Sequence, residues 1–125
     1  MRIAIAGATG LIGTQLTALA RQEGHEVVEI ARETGFDLLA PQPGELEAAL
    51  AGADAAVDVT STGGLLSDQE TLDFFTGVAR NLGRAAAAAA VARTVTLSIV
   101  GIHKSPDYGY YVAKAKGFYD EVGLD

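Results

Sequence analysis

The chain contains no cysteine, which excludes disulfides and thiolate sites and fits a reducing, cytoplasmic setting. No apolar run approaches the roughly 20 residues that a membrane-spanning helix requires, so no membrane partner is expected. A secretory leader is not expected either, because glycines interrupt the apolar start where such a segment would have to continue. Basic residues are scarce, 9 Lys and Arg against 16 Asp and Glu. The net charge of −7 would repel phosphate backbones, so nucleic acid and acidic membrane surfaces are not expected partners. A local basic site for one small phosphate stays open. Metal-ligand spacing is missing too: Asp54, Asp58, Asp68, Glu70 and Asp73 have no histidine at a coordinating interval. No metal site and no nucleophilic triad is visible. Asp58 lies in an apolar run and needs a hydrogen-bond partner if it is buried.

What is present is an ordinary globular balance, 49% apolar and 20% charged over 125 residues, enough for one domain with a real core. Apolar runs alternate with amphipathic ones. Residues 2–7 read as a strand, and residues 11–23 as a helix with Ile12, Leu16, Leu19 and Ala20 on one face. Gly24 stops that helix, and residues 25–31 read as the second strand. The segment GFDLL, 35–39, reads as a short third strand; 43–52 as a helix between glycines; 55–60 as a fourth strand. Ser67 and Glu70 have capping-box spacing before a long helix with Leu72, Phe75, Ala79, Leu82, Ala86 and Ala89 on one face, running to about Ala92. Its six alanines at 85–90 read as close packing on a sheet. Residues 94–101 read as a fifth strand, and Tyr110 to about Val122 as a last helix stopped by Gly123. Strands separated by helices imply right-handed βαβ units. The expected fold is α/β, a doubly wound parallel sheet of Rossmann type with about five strands in the order 3-2-1-4-5.

The first strand runs into Gly7, Gly10 and Gly13, with a helix directly behind them. A phosphate reaches the unpaired N–H groups and positive dipole of a helix N-terminus only where no side chain blocks it. Glycines permit the tight turn, the close approach and close packing of helix on strand. This places Gly7, Thr9, Gly10, Leu11, Ile12 and Gly13 at a candidate phosphate site; the alternative is a tight turn without a ligand.

The spacing G-x-x-G-x-x-G, here GATGLIG, resembles the atypical and extended short-chain dehydrogenase/reductases, among them NmrA-like proteins and relatives of the sugar-nucleotide epimerases. The likeness continues through VVEIAR, FDLL, DVTST, FFTGVARNL and LSIVGIHKSPDYGYYVAK. It implies a dinucleotide cofactor. Arg32, just after the second strand, would pair with a ribose 2′-phosphate, so the resemblance implies NADP(H) with NAD(H) second. Glu33 would oppose that phosphate if it pointed inward, and a solvated Arg32 is the other reading. Asp37 and Leu38 resemble the pair that borders the adenine, with a loop cap as the alternative for Asp37. Thr60 and Ser61 would lie by the pyrophosphate and nicotinamide ribose, or simply form a turn.

Tyr110 and Lys114 form Y-x-x-x-K one helical turn apart, and Ser98 lies twelve residues before the tyrosine. The resemblance makes Tyr110 the general acid/base, Lys114 the cation that lowers its pKa and holds the nicotinamide ribose, and Ser98 the group that polarises the substrate oxygen. Packing residues, a solvated lysine and a core hydroxyl are the plain alternatives. His103 would line a pocket or sit in a surface loop, and His25 is structural or exposed. The resemblance also implies further C-terminal strands that choose the substrate, beyond this sequence. The expected function is therefore the dinucleotide-binding domain of an NAD(P)-dependent oxidoreductase or epimerase-like protein. The alternatives are a non-catalytic sensor module or a minimal fold without activity. The fifth strand is apolar at Val95, Leu97, Ile99 and Val100 and has no edge lysine or proline, so a homodimer through that edge or a swapped last helix is expected.

Overall fold

The computed structural model describes residues 1–62 and 66–97. Four strands form one parallel sheet: β1 (Arg2–Ala6), β2 (Glu26–Ile30), β3 (Ala55–Asp58) and β4 (Arg93–Thr96). Their order is β2-β1-β3-β4. The connecting helices are α1 (Leu11–Gln22), α2 (Glu45–Leu50) and α3 (Asp68–Ala88). The expected fifth member, GFDLL, is not a strand. Asp37 Oδ1 accepts the N–H groups of Leu39 and Ala40 at 3.0 and 3.2 Å, so the donors a strand would offer its neighbour are turned inward into a loop. Removing that strand from the order 3-2-1-4-5 leaves the observed order, so the topology stands with four strands among the described residues.

In register, Ile3 faces Val27 on one side and Ala55 on the other, and Val57 faces Val95. Alternation along the strands sorts the side chains onto two faces. Ala4, Ala6, Ile30 and Ala56 share a core cluster with Leu46 and Leu50 of α2 and Val78, Leu82, Ala85 and Ala86 of α3. The other face receives α1, which packs over β1 and β2. Arg21, near the end of α1, pairs with Glu29 of β2 across that face at 3.0 Å.

The helices depart from the expected faces in an instructive way. In α1 the buried residues are Gly13, Thr17 and Ala20, while Leu19 is exposed. Small residues at i, i+4 and i+7 let the helix lie close to the sheet, and the larger apolar ones flank the contact. In α3 the buried set is Val78, Ala79, Leu82, Gly83, Ala85 and Ala86. Of the alanine run only Ala85 and Ala86 pack fully, against a sheet face that is itself alanine-rich. Ser67 caps α3, its Oγ accepting the Glu70 N–H at 3.1 Å, as the sequence spacing implied. The helix ends at Ala88, and Ala90 takes a left-handed conformation with φ 57°. That geometry lets the Val91 N–H reach Ala86 O at 3.0 Å and closes the C-terminus.

Hydrogen bonds continue past the carboxyl ends of the strands. Gly7 N–H donates to Ile30 O at 2.8 Å, Val59 N–H to Ala6 O at 2.9 Å, and Leu97 N–H to Asp58 O at 2.9 Å. The loops that leave the sheet are thereby fastened to the neighbouring strands at the rim where ligands of such sheets bind.

Candidate functional site at the glycine turn

β1 ends at Ala6, and Gly7 turns the chain with φ 83°. A Cβ at Gly7 would stand 2.9 Å from the Thr60 backbone, so both the dihedral and the neighbour demand glycine. Gly13, one turn into α1, is even more constrained: a Cβ there would lie 1.9 Å from Gly7 O. Gly13 is thus required by the close approach of the helix to the turn, and Gly7 by its dihedral and the backbone that follows β3.

Gly10 is different. It is the N-cap of α1 with φ −74° and ψ −179°, a conformation open to any residue. A Cβ on it would meet only Gly7 O, at 3.4 Å, the edge of ordinary contact. Nothing in the packing of the described residues explains why position 10 has no side chain. It also leaves the helix without a side-chain cap, and the first turn carries no acid. The N–H groups of Leu11, Ile12 and Gly13 have no acceptor within the helix, because the first bond of the ladder is Thr14 N–H to Gly10 O at 2.9 Å. Leu11 is 83% exposed. The arrangement is a cluster of donors at the positive end of a helix, kept clear of side chains.

Behind this turn the other strand ends complete the rim. The short 3-10 turn Arg32–Thr34 follows β2. Thr34 Oγ1 accepts the Ala31 N–H at 2.9 Å and holds the turn, leaving Arg32 and Glu33 exposed. The Glu33 carboxylate accepts the Thr9 hydroxyl at 2.7 Å. This contact joins the glycine turn to the end of β2, and no spacing rule announces it. The Thr9 bond, its own backbone N–H and the nearby Arg32 charge hold the Glu33 carboxyl below its usual value. At the end of β3, Asp58 is buried, and its Oδ1 accepts both the Thr60 N–H at 3.0 Å and the Thr60 hydroxyl at 2.6 Å. The partner that a buried Asp58 needs is thus Thr60, and this bond fixes the backbone against which Gly7 packs.

The structure brings Gly7, Thr9, Gly10, Leu11, Ile12 and Gly13 together with Arg32 and Thr60 around one rim, with the exposed Ser61 following Thr60. Asp37 caps its loop, and the Leu38 side chain belongs to the core, its carbonyl accepting Asn81 Nδ2 at 2.8 Å. Ser98, His103, Tyr110 and Lys114 lie outside the described residues, as does the expected last helix. Among the described residues no cluster of His, Cys, Asp or Glu could hold a metal ion, and no helix is long and apolar enough to cross a membrane.

Known structures share this architecture. MoeE5 in complex with UDP-glucose and NAD superposes with a TM-score of 0.80 at 20% identity, covering 100% of this chain and 50% of that one. UDP-N-acetylglucosamine 4-epimerase from Bacillus cereus gives 0.75 at 20% identity, over 99% of this chain and 55% of that one. A short-chain dehydrogenase/reductase superfamily protein from Agrobacterium tumefaciens with bound NAD gives 0.71 at 19% identity, covering 94% and 44%. The chain therefore spans about half the length of these proteins. Over 37 residues it is 51% identical to the epimerase family protein SDR39U1 of Bos taurus, a match covering 30% of this chain and 13% of that protein. Residues 3–102, which run from β1 through β4, match the NAD dependent epimerase/dehydratase family. The chain belongs to that family.

Proposed function

We propose that this single domain binds NADP(H) in preference to NAD(H), as the cofactor-binding part of an oxidoreductase or epimerase-like protein of NmrA-like character. The observation that carries the reading is Gly10, a glycine that neither dihedral nor packing requires, standing before donors that no helix carbonyl accepts. Dinucleotide pyrophosphate fits that requirement: it is anionic, presents several acceptors and needs close backbone approach. Relatives of the same fold are described with NAD bound, which supports the class of ligand.

In this reading the N–H groups of Leu11, Ile12 and Gly13 hold the pyrophosphate over Gly10, while Gly7 and Thr9 shape the turn. Arg32 pairs with the 2′-phosphate through charge-assisted hydrogen bonds. The loop of Asp37 and Leu38 borders the adenine, and Thr60 and Ser61 face the nicotinamide ribose. The bound cofactor supplies the hydride acceptor or donor. Tyr110 moves the proton at the substrate oxygen, Lys114 stabilises its phenolate, and Ser98 orients that oxygen. A cytoplasmic setting accords with the absence of cysteine.

Self-association is part of the proposal. β4 pairs with β3 on one side and is the last strand in the order of the described sheet. Val95 and Leu97 are 53% and 46% exposed there. A second copy that extends the sheet at β4, or that exchanges the last helix, would cover them.

Calorimetric titration with NADPH and with NADH tests the function directly. NADPH is expected to bind the wild type, and Gly10→Val to lose that binding while keeping its circular dichroism spectrum. Unchanged affinity in a folded Gly10→Val would remove the assignment.

A further inference from the structure

The loop after the Arg32–Thr34 turn is gripped by a residue far along the chain. Asp37 Oδ1 accepts the N–H groups of Leu39 and Ala40, bonds that shape the loop from within. Asn81 Nδ2, on α3, donates to the carbonyls of Leu38 and Leu39, at 2.8 and 3.3 Å. An amide faces two carbonyls only with its NH2, so the orientation of that side chain is settled. Gly77 lies one turn earlier on the same face of α3. A Cβ there would stand 3.0 Å from Leu39 Cδ2, closer than apolar carbons rest. One helix face therefore takes the loop's backbone at Asn81 and its side chain at Gly77. Leu39 is nevertheless 51% exposed, an apolar patch on the loop.

We propose that Asn81 is a positioning residue for the adenosine end of the cofactor, acting through loop 37–40. The amide holds the loop, and the loop meets the base. A flat base gains affinity from many weak contacts with a wall, and these fall off steeply with separation. A gap of about 0.5–1 Å already forfeits roughly a quarter to a half of each contact. The Asp37 bonds keep the loop's shape but not its distance from the glycine turn. Asn81 and Gly77 set that distance, because α3 is itself packed in the core through Val78, Leu82, Ala85 and Ala86. This inference rests on the proposal that the chain binds a dinucleotide with its adenine at this loop.

The test compares ADP with inorganic pyrophosphate, two anions that suit the glycine turn, of which only ADP carries the adenosine end. Their Kd values are read from the amide shifts of Gly10, Leu11 and Ile12 in NMR titrations of the wild type, Asn81→Ala and Gly77→Ala. ADP should bind the wild type more tightly than pyrophosphate does. Asn81→Ala should weaken ADP about three- to tenfold, the scale of one hydrogen bond, and leave pyrophosphate unchanged. Gly77→Ala should weaken ADP about twofold, because its methyl pushes Leu39 outward. That variant should melt no lower than the wild type, since alanine favours a helix over glycine. Binding then falls without a loss of stability, which a merely structural role would not produce. If Asn81→Ala fails to fold, Gly77→Ala decides by the same comparison. Equal losses for ADP and pyrophosphate, or an ADP affinity indifferent to either folded variant, overturn the assignment. A wild type that binds both anions equally also overturns it, and leaves the phosphate site standing. If the wild type binds neither at the glycine turn, the dinucleotide reading falls as well.

Discussion

Gly13→Ala would set a methyl carbon 1.9 Å from the Gly7 carbonyl oxygen and 2.7 Å from its carbonyl carbon. Unbonded carbon and oxygen rest at roughly 3.4 Å, so the start of α1 must retreat by about 1.5 Å. The opposite wall cannot yield easily. Gly7 is bound to Ile30 O at 2.8 Å, and any Cβ-sized displacement toward β3 meets the Thr60 backbone. Overpacking that moves backbone costs about 3 kcal/mol, the upper end of the usual range. At about 3–6 °C per kcal/mol for a domain of this size, Tm should fall by roughly 9–18 °C. Gly10→Ala is the contrast. Its backbone is unstrained, and its methyl would touch only Gly7 O at 3.4 Å. The small loss at the helix cap is offset by reduced freedom of the unfolded chain, so Tm should stay within about 3 °C. NADPH affinity should nevertheless drop about tenfold or more, the loss of one charge-assisted hydrogen bond. Scanning fluorimetry reads the first effect and calorimetry the second. A Gly13→Ala protein that melts with the wild type, or a folded Gly10→Ala that binds NADPH unchanged, refutes the division between a packing glycine and a ligand glycine.

Arg32→Ala should weaken NADPH about tenfold or more while leaving NADH nearly unaffected, since a charge-assisted bond is worth roughly 1.5–3 kcal/mol; equal losses in calorimetry would deny the arginine its phosphate. Ala90→Gly should raise stability by about 1 kcal/mol in urea melts, because φ 57° strains an alanine and suits a glycine; a loss would mean the C-terminus of α3 depends on the methyl. The carboxyl of Glu33 is held below its ordinary value of 4.5, so its contribution to folding is present above that pH and is lost as pH falls through the depressed value. Comparing acid unfolding of the wild type and Thr9→Val should show the difference between them closing in that acidic window, and a difference that grows there would contradict the sign. Thr96→Pro, at the exposed end of β4, should shift sedimentation toward monomer, whereas a wild type that is already monomeric at high micromolar concentration removes the dimer.

The parts of the fold that were legible in the sequence are those set by local rules. The glycine turn, the alternation of strands and helices, and Ser67 at the start of α3 follow from dihedral freedom, periodicity and capping, and each appears in the structure where its residues put it. The strand order follows from right-handed crossovers once the strands are known. GFDLL failed because five residues with apolar ends satisfy a strand pattern, while the Asp37 side chain satisfies the same backbone donors at closer range. Leu19 failed for a different reason. A helical stripe drawn through large apolar residues overlooks that Gly13, Thr17 and Ala20 permit closer approach, and the helix turns that narrower face to the sheet. At the site, spacing singled out the glycines and Arg32. It could not show Thr9 reaching Glu33, because that pairing joins residues 24 apart through the geometry of two loops. Nor could it divide the glycines by purpose, which required the atoms around each missing Cβ.

The three hydrogen bonds that run one step beyond the strand ends, from Gly7, Val59 and Leu97 to the strand beside each, change what docking involves. A rim made of free loops would have to be ordered by its ligand, and part of the attraction would be consumed in stilling it. Here the ordering happens when the sheet forms, since the same ladder that pairs the strands also seats the turns. A ligand arriving at this rim surrenders chiefly its own motion and its own water. The rim should accordingly show slow amide exchange at Gly7, Val59 and Leu97 before any cofactor is added, and little further slowing afterwards.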